Sequence, residues 1–265
     1  MLYLVATPIG NLKDISLRAI EVLKSVDLIL CEDTRVSGTL CKEYGIEASL
    51  RSFHKFSESK LEESVIGDLG AGKNIALISD AGTPGINDPG QRLVERCHKE
   101  GIEVTSIPGP SAPILALTLS GLSLEKFQFV GFLPKKAGER KGVLIDAFFY
   151  KGVTVCFESP NRIQTTLQEI AVWGAEQEIA VCREMTKKYE EVLRGKASDL
   201  LGKEMRGEIV LIIQGGKDIP HPLGAKEHVE KLQAEYDLSK QEALKLAATL
   251  RGESKKDIYR CIISD

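Results

Sequence analysis

The stretch IALISDAGTPGINDPG, residues 75–90, sets an apolar run directly against eleven residues that hold three glycines, two prolines and two aspartates. Ile75–Ser79 has the length and composition of a buried strand. Asp80–Gly90 then reads as a loop at the carboxyl end of that strand, and Asp88 followed by Pro89 reads as a cap-plus-N1 pair opening a helix that Gly101 closes. Strand, glycine-rich loop and helix in this order are the repeating unit of an α/β sheet, whose ligands sit outside the carboxyl ends of the strands.

The flanking sequence repeats the unit. Strands are expected near Leu2–Ala6, Leu28–Cys31, Leu50–Phe53, Ile75–Ser79 and Glu103–Ile107. Helices fall between them, with Ser16 as N-cap for Leu17–Val26 and with Ser111–Leu122 as an apolar helix ended by Gly121. A second set of strands follows near Phe127–Phe132, Val153–Phe157, Glu178–Arg183, Glu190–Leu193 and Glu208–Gln214. Within it one clear helix, Pro160–Trp173, starts at Ser159-Pro160, and the succession of strands implies antiparallel edges. Residues 215–224 read as a linker. Helical patterns then cover Lys226–Glu235, Ser239–Arg251 and a third segment from Lys255. The expected division is an α/β domain over residues 1–115, a second α/β domain over 116–223 and a small helical domain over 224–265.

Length and composition agree with two packed cores: the chain has 265 residues, 43% of them apolar, and a formal net charge of −3. That charge supplies no global basic field, so a nucleic-acid partner must be gripped by a local patch. Six cysteines (Cys31, Cys41, Cys97, Cys156, Cys182, Cys261) contain no C-x-x-C pair, and several lie in apolar runs. They read as free thiols of a reducing, cytoplasmic environment. Four histidines (His54, His98, His221, His228) show no metal-ligand spacing. No metal and no membrane partner are expected. Met1–Ala6 lacks a basic leader and reads as a first strand.

Residues 80–90 fit neither common phosphate loop. The junction after the first strand reads Ala6-Thr-Pro-Ile-Gly-Asn-Leu12, not G-x-G-x-x-G. Gly70-Ala-Gly-Lys73 precedes its strand, lacks the hydroxyl residue of a P-loop, and reads as a turn. Composition alone allows 80–90 to be a chain reversal as readily as a ligand loop. Thr7-Pro-Ile-Gly10 and Pro108-Gly-Pro-Ser-Ala112 also follow expected strands, which favours a shared pocket on one sheet edge. Carboxylates and carbonyls without a basic anchor suit a cationic or neutral ligand better than a triphosphate.

Seven segments in order, Leu2–Leu12, Cys31-Glu-Asp-Thr-Arg35, Asp80–Gly90, Ile107–Ser111, Phe157-Glu-Ser-Pro160, Arg183-Glu-Met-Thr-Lys187 and Gly207-Glu-Ile-Val210, resemble the bacterial small-subunit (16S) ribosomal RNA cytidine 2′-O-ribose methyltransferases. These belong to the tetrapyrrole methylase superfamily. The resemblance, running from residue 2 to about 260, implies two α/β domains with S-adenosyl-L-methionine in a cleft between them, a small C-terminal helical domain that helps hold RNA, a ribosomal RNA or assembled-subunit substrate, and frequent dimers. It implies that Pro8, Asp80, Ala81, Gly82, Thr83, Pro84, Asp88, Pro108, Gly109, Pro110, Ser111 and Ala112 line the cofactor site. Backbone near Phe157, Cys182 and Glu208 would close it. The family's His-Asn-Glu triplet is matched only at His54, within Ser52-Phe-His-Lys-Phe56.

Methyl transfer to a ribose hydroxyl gains from alignment and from a base or charge that favours the alkoxide. Glu32, Asp33 and Arg35 after the second strand, with Glu158 and Glu184 after later ones, are the candidates for that chemistry. Each has a plainer reading as a helix-end charge cluster or a cap at the edge of a core. His54 is a candidate base or RNA contact. Lys135, Lys136, Arg140 and Lys141 in an expected loop, and Arg183, Lys187 and Lys188, are candidate phosphate contacts whose alternative is a solvated face. The competing functions are methylation of a tetrapyrrole or other small molecule, and a non-catalytic nucleotide- or RNA-binding protein of the same fold.

Overall fold

The computed structural model describes residues 1–54, 58–217 and 223–264. Contacts group them into two units, residues 1–119 with 183–191, and residues 120–182 with 192–265.

In the first unit β1 (Leu2–Val5), β2 (Leu28–Cys31), β3 (Ser49–Ser52), β4 (Ile75–Leu77) and β5 (Val104–Ile107) form a parallel sheet of order β3-β2-β4-β1-β5. All four residues of β2 and all three of β4 are buried. The pleat divides them by period two. Ile29, Cys31, Ala76 and Ile78 face one core with Ala19 and Leu23 of α1 (Leu17–Ser25) and Leu40 of α2 (Thr34–Tyr44). Leu28, Leu30, Ile75 and Leu77 face the other, with Val65 of α3 (Glu58–Gly70) and Leu93 and Cys97 of α4 (Gln91–Lys99). Helices on both faces explain why these strands are continuous apolar runs. The Ser16 hydroxyl accepts from the Ala19 N–H at 3.1 Å, as the cap at that position demands. α5 (Ala112–Ser120) follows β5 and ends at Gly121, whose φ is 62°. The Gly70–Lys73 fragment is a turn, its Lys73 ammonium paired with Asp68 at 2.8 Å.

In the second unit β6 (Phe127–Phe132), β7 (Val153–Glu158), β8 (Glu178–Arg183), β9 (Glu191–Lys196) and β10 (Ile209–Gln214) form a sheet of order β6-β7-β10-β8-β9. β6, at one edge, is parallel to β7, and the antiparallel pair β7–β10 lies inside the sheet, so the sheet is mixed but its β6 edge is not the antiparallel one expected. α6 (Ala137–Phe149), α7 (Ile163–Trp173) and a one-turn α8 (Ala197–Leu200) belong to it. Two further expectations need correction here. Of the basic residues expected in a loop, Lys135 and Lys136 do precede the helix, but Arg140 and Lys141 lie on α6, a helix carried by the buried Leu144, Ile145 and Phe148. α7 does not start at Ser159-Pro160: that pair makes a turn, the Ser159 hydroxyl accepting from the Asn161 N–H at 3.3 Å, and the helix begins at Ile163.

α9 (Ala225–Tyr236), α10 (Lys240–Arg251) and α11 (Lys255–Ser264) follow. Ser239 and Glu242 form a capping box for α10. Val229, Leu232, Tyr236, Leu244, Ala247 and Ile258 from these helices join one hydrophobic cluster with Phe148, Ile170 and Leu211. Five cysteines are buried free thiols and Cys261 is exposed. Among the described residues, no helix is long and apolar enough to cross a membrane.

Candidate functional site

The order β2-β4-β1-β5 brings four strand ends side by side, and the loops that leave them are tied together. Thr7 and Gly82 exchange two backbone hydrogen bonds, the Thr7 N–H donating to Gly82 O at 2.9 Å and the Gly82 N–H to Thr7 O at 3.1 Å. The Thr7 hydroxyl donates to Ser79 O at 3.0 Å, and the Ser79 hydroxyl to Gly82 O at 3.2 Å. Thr83 Oγ1 donates to Pro110 O at 3.2 Å, joining the loops after β4 and β5. Glycine is required at two points. Gly82 has a φ of 83°, and a Cβ at Gly109 would stand 2.9 Å from that of Ala6. The three Pro/Gly loops therefore do gather on one sheet edge. Thr7 and Ser79, both buried, are the pins that hold them.

Three carboxylates converge on this edge. The Asp33 N–H donates to Asp80 Oδ1 at 3.1 Å, and the Asp80 N–H in turn donates to the Glu32 carboxyl. Burial raises the Glu32 pKa, the negative charge of Asp80 raises it further, and His54 opposes both. Asp88 is pushed up to about 6, first by burial and next by the charge of Glu32, while a hydrogen bond with Ser79 opposes the shift. The expected cap is thereby corrected. Gly90, not Asp88, is the N-cap residue of α4, with a φ of 121° and no side-chain cap, because Asp88 is turned toward Ser79. A Cβ at Gly90 would run into the Leu77 side chain.

The shift at Asp88 has a sign. Between its unfolded value of 3.8 and about 6, the native carboxyl keeps a proton that the unfolded chain has released. Stability therefore falls as pH rises through that window. Asp88→Asn removes this fall. Allowing for partial exposure, the variant is expected to be about 1 kcal/mol more stable than the parent near neutral pH. Urea midpoints on either side of the window measure it; a parent and variant that lose stability equally across the window would contradict the assignment.

Beside the carboxylates, between the β1 loop, α2 and the end of β4, lies a cavity of about 280 Å³. Its wall includes Pro8, Asp80 and four hydroxyl residues, and no lysine or arginine among the described residues. The carboxylates and the glycine loops that admit close backbone approach at this sheet edge fit a cationic nucleoside cofactor and do not fit a nucleotide triphosphate.

The remaining candidate residues are dispersed. Asp33 caps α2 through the Arg35 N–H at 2.8 Å and pairs with the Arg35 guanidinium at 2.6 Å, which holds its pKa down to about 2. Glu158, in the second unit, is fully buried and accepts from Arg162 at 2.6 Å, from the Thr166 hydroxyl at 2.7 Å and from the Ser159 N–H at 2.6 Å. Arg162 also donates to Leu133 O and Pro134 O, so this carboxylate anchors the end of β7. Arg140 is equally committed, buried on α6 with two bonds to Glu169 at 2.6 and 2.7 Å. Lys135 and Lys136 stay exposed at the start of that helix. Phe157 packs edge-on against Phe129 in the second sheet.

Glu184, Lys187 and Lys188 belong to the 183–191 segment of the first unit, where Glu184 and Lys187 pair at 2.9 Å and Arg183 pairs with Glu191 at 2.6 Å. Glu184 and Thr186 take left-handed backbone angles, φ 49° and 66°. The segment reaches the β1 loop: a Cβ at Gly10 would lie 2.6 Å from the Lys187 stem and 2.8 Å from Thr186 Oγ1. His54 is described; Lys55 and Phe56 lie outside the described residues. Thr7 lies in a loop that the sequence already singles out, whereas Ser37 and Ser79, hydroxyl residues at a helix start and a strand end, carry no motif of their own.

Comparison with known proteins gives a consistent set of likenesses. The model of the tetrapyrrole (corrin/porphyrin) methylases matches residues 1–201. A protein of Halalkalibacterium halodurans called ribosomal RNA small subunit methyltransferase I is 42% identical, over 97% of this chain and 93% of its own length. Proteins of the same name from Bacillus subtilis and Escherichia coli O157:H7 are 42% and 41% identical over 98% of the chain. The solved uroporphyrin-III-C-methyltransferase of Thermus thermophilus superposes with a TM-score of 0.58, covering 81% of this chain and 94% of its own at 19% identity, a likeness of fold.

Proposed function

The chain belongs to the tetrapyrrole (corrin/porphyrin) methylases, and from that premise we propose that it transfers a methyl group from S-adenosyl-L-methionine to the 2′-hydroxyl of a cytidine ribose in small-subunit ribosomal RNA. The observation that carries the reading is identity near 40% along nearly the whole length of relatives named for methylation of that RNA. The broad activity is methyl transfer; the acceptor atom and the nucleoside are the finer part of the proposal.

The cofactor, when bound, supplies an electrophilic methyl carried on a positively charged sulfur. In this reading Asp80 and Asp88 hold that charge. Backbone at Gly82–Pro84 and Pro108–Ala112, with Pro8, would form the wall for the nucleoside, and the pinned loops hold that wall in place before anything binds. Such preorganised alignment can supply up to roughly 7–11 kcal/mol of a displacement barrier. Glu32 receives the proton of the acceptor hydroxyl as its oxygen is methylated, and the rise of its pKa through burial and Asp80 makes it a stronger base than an exposed carboxylate. Lys187, beside the β1 loop, and Lys188, with Lys135 and Lys136 on the second unit, would meet RNA phosphates; Arg140 serves α6 instead. The substrate is cytoplasmic RNA, bare or in the assembled subunit.

Calorimetry tests the cofactor. S-adenosylmethionine is expected to bind, with affinity rising as pH passes about 6 and Asp88 ionises, while adenosine triphosphate gives no heat. No heat with S-adenosylmethionine beside clear binding of another nucleotide would favour the non-catalytic reading.

A further inference from the structure

The cavity of about 280 Å³ shares only Pro8 and Asp80 with the expected cofactor wall. Its other lining comes from Thr7 and Leu12 of the β1 loop, from α2 through Val36, Ser37, Thr39 and Leu40, and from Ile78 and Ser79 at the end of β4. The loops after β4 and β5 are joined to each other by the Thr83–Pro110 bond, and Thr83, Pro110 and the rest of the β5 loop do not line this cavity. The two sites are neighbours that meet at Asp80.

Four hydroxyls line the cavity, and three have oxygen partners: Thr7 on Ser79 O, Ser79 between Gly82 O and the Asp88 carboxyl, and Thr39 on Arg35 O at 3.2 Å. Ser37 differs. It is 3% exposed, and its Oγ makes no hydrogen bond to nitrogen or oxygen among the described residues; its hydrogen-bond partner is the Cys31 thiol, a weak one. A buried hydroxyl without a full partner is costly unless a ligand completes it. The apolar walls at Leu12, Leu40 and Ile78 accept a flat ring, and the lack of any cation among the lining rejects a phosphate. The volume sits at the small end of ligand pockets, suited to one ring and its sugar and not to four linked pyrroles.

We propose that this cavity seats the base of the methyl-acceptor nucleoside, splayed out of its strand, with Ser37 Oγ hydrogen-bonding the base edge so that the attached ribose is held beside Asp80 and Glu32. Recognition of a splayed base by its edge is the general mode of single-stranded RNA readout, and a serine hydroxyl both donates and accepts, as a pyrimidine edge requires. The inference rests on the RNA reading above. It makes Ser37 a positioning residue and Val36, 47% exposed on α2, a point at which entry can be blocked without disturbing the core.

The experiment compares wild-type protein with Ser37→Ala and Val36→Trp in three measurements. These are S-adenosylhomocysteine affinity by calorimetry, methylation kinetics on unmodified small-subunit RNA, and the NMR methyl signals of Val36 and Leu40 as free cytidine is added to protein saturated with S-adenosylhomocysteine. Ser37→Ala is expected to keep its cofactor affinity and thermal stability while kcat/KM for RNA falls roughly tenfold, chiefly through KM. Val36→Trp is expected to lose roughly 100-fold or more with cofactor affinity unchanged. Cytidine is expected to move both methyl signals. Loss of cofactor affinity in both variants would show that the donor's adenine occupies the cavity and would overturn the assignment. Wild-type kinetics in both variants with unmoved methyl signals would also overturn it, leaving the RNA reading intact. If the wild type methylates no RNA yet cytidine moves the signals, the nucleoside cavity stands and the RNA reading falls.

Discussion

Asp80→Ala is expected to weaken S-adenosylmethionine binding by roughly 30-fold or more, the loss typical when one member of a hydrogen-bonded charge contact is truncated. Two separable effects contribute. The carboxylate supplies negative charge toward the cationic cofactor, and its Oδ1 accepts the Asp33 N–H at 3.1 Å, fixing the start of α2 beside the β4 loop. Asp80→Asn keeps an oxygen for that N–H and removes the charge, so it should recover part of the lost affinity. Removing the charge also relieves Asp88 and Glu32, both of which Asp80 pushes upward. The pH at which Asp88 ionises should therefore fall below about 6 in both variants, even without cofactor. A protein that binds the cofactor as tightly as the parent would remove the β4 loop from the site.

Glu158→Ala is expected to act on the fold. The substitution takes from the Arg162 guanidinium its charge partner, leaving only Leu133 O and Pro134 O, and strands the Thr166 hydroxyl, both having been anchored on a carboxylate with no exposed surface. Breaking such a buried pair from one side costs about 3–5 kcal/mol, a large part of the total stability of an ordinary domain. Denaturant unfolding should show that loss, with Glu158→Gln intermediate because the amide oxygen still accepts from Thr166 or the Ser159 N–H. Cofactor affinity at low temperature, where the variant remains folded, should be that of the parent. A stable Glu158→Ala protein that binds cofactor and transfers nothing would instead place this carboxylate in the chemistry.

The strands were legible because parallel strands covered on both faces are unbroken apolar runs, as in Leu28–Cys31 and Ile75–Leu77. Ser16 was legible as a cap because its geometry is local. Asp88-Pro89 carried the same local signal and misled: a buried Ser79 hydroxyl competed for the carboxylate, and the left-handed Gly90 took the cap position. α6 was missed because Ala137-Gly-Glu-Arg-Lys-Gly142 has the composition of a loop. What makes it helical is tertiary, the burial of Leu144 and Phe148 and the clamp of Arg140 on Glu169.

The site shows the same division. Each of Glu32, Asp80 and Asp88 stood out by its place after a strand or within the loop, yet their mutual approach depends on β2 and β4 being neighbours, which no local pattern encodes. Ser37 gave no signal at all. Its interest comes from being buried, lining a cavity and lacking a full partner, all of which appear only in three dimensions.

The central claim is tested most directly by incubating the purified protein with methyl-labelled S-adenosylmethionine and small-subunit RNA from cells that lack the enzyme, then locating the label by nuclease digestion and mass spectrometry. The account requires label in a 2′-O-methylcytidine. Label on a base, or none in RNA alongside transfer to a tetrapyrrole, would contradict it.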